Sequence, residues 1–131
     1  MLSTITTTDA TATLDTLQAQ AKNAAVIAQE AFLAKWVEST GGNEYGEPMY
    51  CGFGWVQCTP EHKGNTTLGK QERRVLEAMG FKKDWTGKSY QLWNAGGYNG
   101  QSMDVKEAGA TAYAKVLRDA GFRAYMGSRA D

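Results

Sequence analysis

The chain has 131 residues, 42% hydrophobic and 11% aromatic, with two prolines; that is enough length and apolar surface for one core, and it excludes a disordered chain. Basic and acidic residues balance at 14 each, and no apolar stretch comes near the roughly 20 residues needed to cross a bilayer. The charge is segregated, however: residues 1–59 hold two bases against six acids, a net −4, and residues 60–131 hold twelve bases against eight acids, a net +4. An acidic helical half joined to a basic half suits a phosphate-bearing ligand or the pairing of opposite patches, and is also what scattered solvated charge produces.

The N-terminus has no basic segment followed by an apolar one, so no secretory signal is expected; the predicted location is the cytoplasm, and residues 1–12 are expected to be disordered. From Thr13 to Glu38 the chain is dense in Ala, Leu, Gln, Glu and Lys, free of Gly and Pro, and stopped by Ser39-Thr40-Gly41-Gly42. This predicts a long amphipathic helix within 13–40. Its apolar stripe, Leu17, Ala21, Ala24, Ala28 and Ala31, allows close approach of another helix. The partner is either the rest of the domain or the same helix of a second copy, a homo-oligomer, and the two can hold together.

An α+β domain is predicted over 49–131. Met49 to Cys58 reads as a strand, with Cys51, Phe53, Trp55 and Gln57 on one face and Gly52, Gly54, Val56 and Cys58 on the other; the glycine face would admit a helix or a ligand close to the backbone. Cys51 and Cys58, about 23 Å apart along that strand, are beyond disulfide reach and are expected to be buried thiols. Leu68 to Met79 reads as a helix capped by Thr66 or Thr67 and ended by Gly80. Ser89 to Trp93 reads as a short strand, and Asn94 to Gln101 as an exposed, mobile loop. A last helix is expected to be capped by Asp104 with Glu107 as its capping-box partner, followed by a final strand over Arg123 to Met126. The predicted order is a helix followed by βαβαβ.

Cys-Gly-Phe-Gly-Trp-Val (51–56), Gly-Lys-Gln-Glu-Arg-Arg (69–74), Gln-Ser-Met-Asp-Val-Lys-Glu-Ala-Gly-Ala (101–110) and Ala-Tyr-Met-Gly-Ser-Arg-Ala-Asp (124–131) resemble a family of small tailed-phage accessory proteins with no assigned activity. The resemblance covers about residues 49–131. It implies origin, a phage protein acting in an infected bacterial cytoplasm, and transfers no catalytic or binding residue.

His62 is the one histidine, so a nucleophilic relay would have to use Cys58, His62 and a carboxylate such as Glu61. Pro60 and the Glu-His-Lys-Gly run read instead as an exposed loop with a solvated imidazole. Cys51, Cys58 and His62 lack the close paired spacing of a zinc site, and Glu72 with Glu77 makes no convincing acid pair. No catalytic residue, metal ligand or cofactor is therefore expected. The Gly96–Gly100 loop runs toward a helix N-terminus, which favours anions, but Asp104 there would repel a phosphate.

The stronger pattern is compositional. Arg73, Arg74, Lys82, Lys83, Lys88, Arg118, Arg123 and Arg129 alternate with Trp85, Tyr90, Trp93, Tyr98 and Tyr125, pairing cations with stacking faces as nucleobases and phosphates require. The competing reading is that the aromatics are core and the bases a solvated rim. The expected ligand-binding set is Trp55, Arg73, Lys88, Trp93, Asn94, Tyr98, Gln101, Arg123, Tyr125, Ser128 and Arg129. The function expected from it is non-catalytic binding of a small phosphorylated, nucleotide-like ligand, such as a host defence signal to be sequestered. The alternatives are an inhibitor that binds a host protein and a nucleic-acid-binding accessory protein; a pI near 6.6 argues against the last.

Overall fold

A computed structural model describes residues 7–40, 51–100 and 102–130. In chain order these form α1 (Thr7–Thr40), β1 (Gly52–Cys58), α2 (Thr67–Ala78), β2 (Lys82–Lys83), β3 (Tyr90–Trp93), α3 (Met103–Asp119) and β4 (Ala124–Ala130). The chain is thus α+β, as expected, with one strand more than predicted. Lys82–Lys83 pairs with Tyr90–Gln91 across a hairpin, and two exposed lysines carry no alternation by which such a strand could be read.

The strands form one antiparallel sheet in the order β2-β3-β1-β4. With a helix after β1 and another after β3, this connectivity is the split βαβ arrangement. It puts β1 and β3, the two aromatic-rich strands, at the centre.

The alternation expected along β1 is observed. Gly52, Gly54, Val56 and Cys58 are buried while Phe53, Trp55 and Gln57 lie on the half-exposed side. The glycine face admits a helix: a Cβ on Gly54 would lie 2.9 Å from the Lys106 carbonyl carbon, so α3 packs its backbone onto the strand. Val56, Cys58, Tyr90 and Ala124 from the sheet meet Leu76 and Met79 of the α2 end and Tyr113, Ala114 and Leu117 of α3 in one core. Tyr113 is buried and its phenol pushed up to about 12 by that burial.

α1 packs on α3 rather than on the sheet, as an outer layer. Its buried row is Ala21, Ala25 and Gln29, with Leu14 and Leu17 against the same core. The predicted stripe is therefore rotated by a residue, Ala24 and Ala28 being half-buried and Ala31 exposed. The cause is Gln29, whose amide lies against Gly96 and Gly109, where Cβ atoms would come within 2.4 Å and 2.3 Å of it. That contact also corrects the exposed loop expected after β3, because Ala95 and Gly96 are buried beneath α1. The helix begins at Thr7, inside the stretch expected to be disordered.

Local chemistry explains further departures. Ser102, not Asp104, caps α3, its hydroxyl accepting from Val105 N; Asp104 sits in the first turn, where a negative charge is also favourable. Glu107 accepts from the Ser128 hydroxyl at 2.5 Å, tying α3 to β4, instead of closing a capping box. The final strand runs to Ala130 because the tail pairs with β1 along its whole length. Thr66 caps α2 as expected, accepting from Gly69 N at 3.0 Å.

Candidate functional site

β1, β3 and β4 each carry alternate residues on the face of the sheet opposite α3. Register arranges them in three rows: Phe53 beside Arg129; Gly127, Trp55 and Trp93; and Tyr125, Gln57, Gln91 and Lys82. Among the described residues no helix packs on this face, and Trp93 and Tyr125 remain 46% and 52% exposed. Large aromatics facing solvent on central strands are costly unless something covers them.

Polar contacts order the aromatic surface. Trp55 and Trp93 stack with ring centroids 4.8 Å apart and planes 20° apart, and Phe53 tilts against Trp93 at 5.5 Å. Each indole N–H is held by the glutamine two residues along its strand: Trp55 Nε1 donates to Gln57 Oε1 at 3.0 Å and Trp93 Nε1 to Gln91 Oε1 at 3.0 Å. Gln91 Nε2 donates across to Gln57 Oε1, also at 3.0 Å. The Trp55 ring reaches over β4 where residue 127 is glycine; a Cβ there would be 2.5 Å from Trp55 Nε1. With its N–H satisfied within the protein, Trp93, the more exposed of the two, presents π surface rather than a donor.

Charge surrounds this surface. Lys106 Nζ stands 5.4 Å and the Arg129 guanidinium 5.7 Å from the Phe53 ring centroid. At the opposite edge the β2–β3 hairpin carries exposed Lys82, Lys83 and Lys88 and an indole, Trp85, that is 95% exposed. Asp84 joins this hairpin to the sheet: one carboxylate oxygen accepts from Thr86 N, the Thr86 hydroxyl and Gly87 N, and the other accepts from Gln57 Nε2 at 3.1 Å. The Thr86 hydroxyl above all, opposed by desolvation and helped by Gln57 and backbone amides, holds the Asp84 carboxyl below its ordinary range. The carboxylate is thus an anion held in place by hydrogen bonds from neutral donors.

The structure gathers Trp55, Trp93, Tyr125 and Arg129 of the expected set on this face, with Lys88 on the adjoining hairpin. The other expected residues that the structure describes lie elsewhere. Arg73 donates to the carbonyls of His62 and Gly69 near the start of α2, and Arg123 donates to those of Thr59 and Pro60. Ser128 faces α3. Asn94, at φ 51°, donates to the carbonyl of half-buried Tyr98 and lines a cleft of about 480 Å³ between α1 and the domain. Gln101 lies outside the described residues. Phe53, Gln57, Gln91 and Asp84 also belong to the face, and Lys106 reaches its rim from α3 while donating to the Gly52 carbonyl at 3.0 Å; the alternation of β1 already places Phe53 and Gln57 beside Trp55.

The relay considered for Cys58 and His62 is replaced by a structural clasp. Glu72, 3% exposed, accepts from Glu61 N, His62 N and His62 Nδ1, each at 2.8 Å, so His62, in the exposed loop expected and itself partly exposed, is also a bonded partner. Cys58 is buried, and desolvation, assisted by Glu72 and opposed by Arg123, pushes its thiol up to about 12; at neutral pH it is not a thiolate nucleophile. Cys51, expected to be buried, is exposed.

Comparison of the chain with protein-family models, curated proteins and solved structures finds no match.

Proposed function

We propose that this protein is a non-catalytic binder that holds a phosphorylated, nucleobase-bearing ligand on the open face of its sheet. The observation that carries the reading is the Trp55–Trp93 pair: two indoles at the centre of a sheet face that no helix of the described residues covers, their N–H groups internally bonded, with cations at the rim. A base stacks on such a surface whatever its hydrogen-bonding edge, and Arg or Lys takes the phosphate. Because the rings are already fixed, little side-chain freedom is lost on binding. The buried thiol of Cys58 and the engagement of His62 with Glu72 support binding over chemistry.

The test is a thermal-shift screen of the purified protein against nucleotides, with the ligand recovered afterwards. A ligand at about 100 times its Kd stabilises the folded state by about 2.7 kcal/mol. The expected result is a clear rise in Tm, ligand returned intact, and loss of the rise in Trp93→Ala. A chemically altered ligand would overturn the non-catalytic reading, and no shift with any nucleotide would overturn the reading as a whole.

A further inference from the structure

We infer that the ligand is a single-stranded nucleic acid, laid across the sheet from the Phe53–Arg129 end to Trp85 on the β2–β3 hairpin. The inference rests on the proposed base-stacking role of the open face and goes beyond it by naming an extended strand rather than a free nucleotide.

Shape is the first argument. A small ligand is normally enclosed by a concave pocket that buries most of its surface, whereas the aromatic groups here lie on a sheet face that is open among the described residues. The three rows are about 7 Å apart along the strands, and they offer π surface at separate places: Phe53 in the first row, Trp55 and Trp93 in the second, Tyr125 in the third. One base cannot use them all. An open four-stranded sheet with aromatics on its central strands is suited to stacking about two or three successive bases.

The hairpin supplies a second argument. Trp85 is 95% exposed, with Lys82, Lys83 and Lys88 close by in the chain. An indole so placed contributes almost nothing to the core, yet its hairpin is fastened to the platform through Asp84 and Gln57. Such an arrangement holds a stacking face and cations beside the sheet edge, where a strand leaving the platform would meet them.

Charge is the third. The neutral total hides an uneven distribution: α1 carries four acids against two bases and packs on α3, on the far side of the sheet from this face. Among the described residues the face has Arg129 and Lys106 at one end, Lys106 also donating to the Gly52 carbonyl at 3.0 Å, and Lys82 at the other, three cations against the one negative charge of Asp84.

Tryptophan-quenching titrations of the full chain decide the matter, using AMP and UMP, mixed-sequence RNA and DNA strands of about eight nucleotides, and a duplex of the same sequence. Each additional stacked base is worth about 5-fold to 150-fold in affinity, so with two more bases engaged the strands bind at least about 30-fold more tightly than the mononucleotides. If Lys82, Lys88 and Arg129 each neutralise one phosphate, raising salt from 50 to 200 mM weakens the strand roughly 20-fold. Trp85→Ala lowers the ratio of strand to mononucleotide affinity at least 5-fold, and its exposure makes misfolding an unsuitable explanation of the loss. Comparison of the RNA and DNA strands identifies which sugar is preferred. Mononucleotides binding as tightly as strands would overturn the inference while leaving the stacking platform standing, and no binding by either would remove both. A duplex that matches the single strand, or an unchanged ratio in Trp85→Ala, would equally overturn it.

Discussion

Gly127→Ala is the smallest change that reaches the platform without entering the core. The added Cβ would lie 2.5, 2.6 and 2.9 Å from Trp55 Nε1, Cε2 and Cζ2, whereas non-bonded carbons rest at about 3.5–4.0 Å, so the indole must withdraw by about 1 Å. That movement breaks the 3.0 Å bond from Trp55 Nε1 to Gln57, worth about 1 kcal/mol, and disturbs the stack on Trp93, worth about 0.5–1.5 kcal/mol. The gain from replacing a strand glycine offsets about 0.5–1 kcal/mol. Net destabilisation of about 1 kcal/mol follows, a shift in Tm of a few degrees, while nucleotide affinity falls by the stacking of about one base, roughly 10-fold. Near-ultraviolet circular dichroism and tryptophan emission read the ring movement, and titration reads the binding. Unchanged spectra and affinity in a folded Gly127→Ala protein would refute the placement of Trp55 on β4.

Three other outcomes follow from the clasp, the thiols and the helix contact. Glu72→Ala removes the acceptor for two backbone amides and His62 and should cost about 2–4 kcal/mol in denaturant unfolding, with Glu72→Gln intermediate because it keeps an acceptor oxygen. Cys58 has a folded pKa raised from 9.0 to about 12, so its contribution is intact below the unfolded value and is lost as pH rises between the two, up to about 4 kcal/mol; stability measured against pH should fall from about pH 9. Alkylation under native conditions should accordingly label exposed Cys51 and reach Cys58 only on unfolding. Gln29 is 5% exposed with its Nε2 unpartnered among the described residues, so Gln29→Met should raise stability by about 1 kcal/mol in thermal unfolding; a loss of that size would mean the amide has a bonding role.

How much of this was legible in the sequence depends on which interaction sets each element. β1 could be read down to its faces because period-2 alternation is a local property, and Phe53, Trp55 and Gln57 fell together on it. β2 could not, since two lysines at an edge are a strand only by virtue of pairing with β3. The buried face of α1 was misplaced by a residue because a polar side chain, Gln29, fills the space left by Gly96 and Gly109, and no hydrophobic pattern marks a glutamine as buried. Of the candidate site, the aromatic–basic composition was visible. Its sorting into core and surface was not: Tyr90 turned inward, Trp85, Trp93 and Tyr125 stayed outside, and Arg73 and Arg123 went to backbone carbonyls. Those assignments depend on strand order and register, which couple residues far apart in the chain.

The central claim, that the open sheet face receives the base, is tested most directly by nuclear magnetic resonance of the indole N–H groups during titration with AMP. The chain has four tryptophans, and the two on the face, Trp55 and Trp93, are predicted to shift together and saturably while Trp36 of α1 stays fixed. Saturable shifts confined to Trp36, or binding with Trp55 and Trp93 both unmoved, would contradict the account.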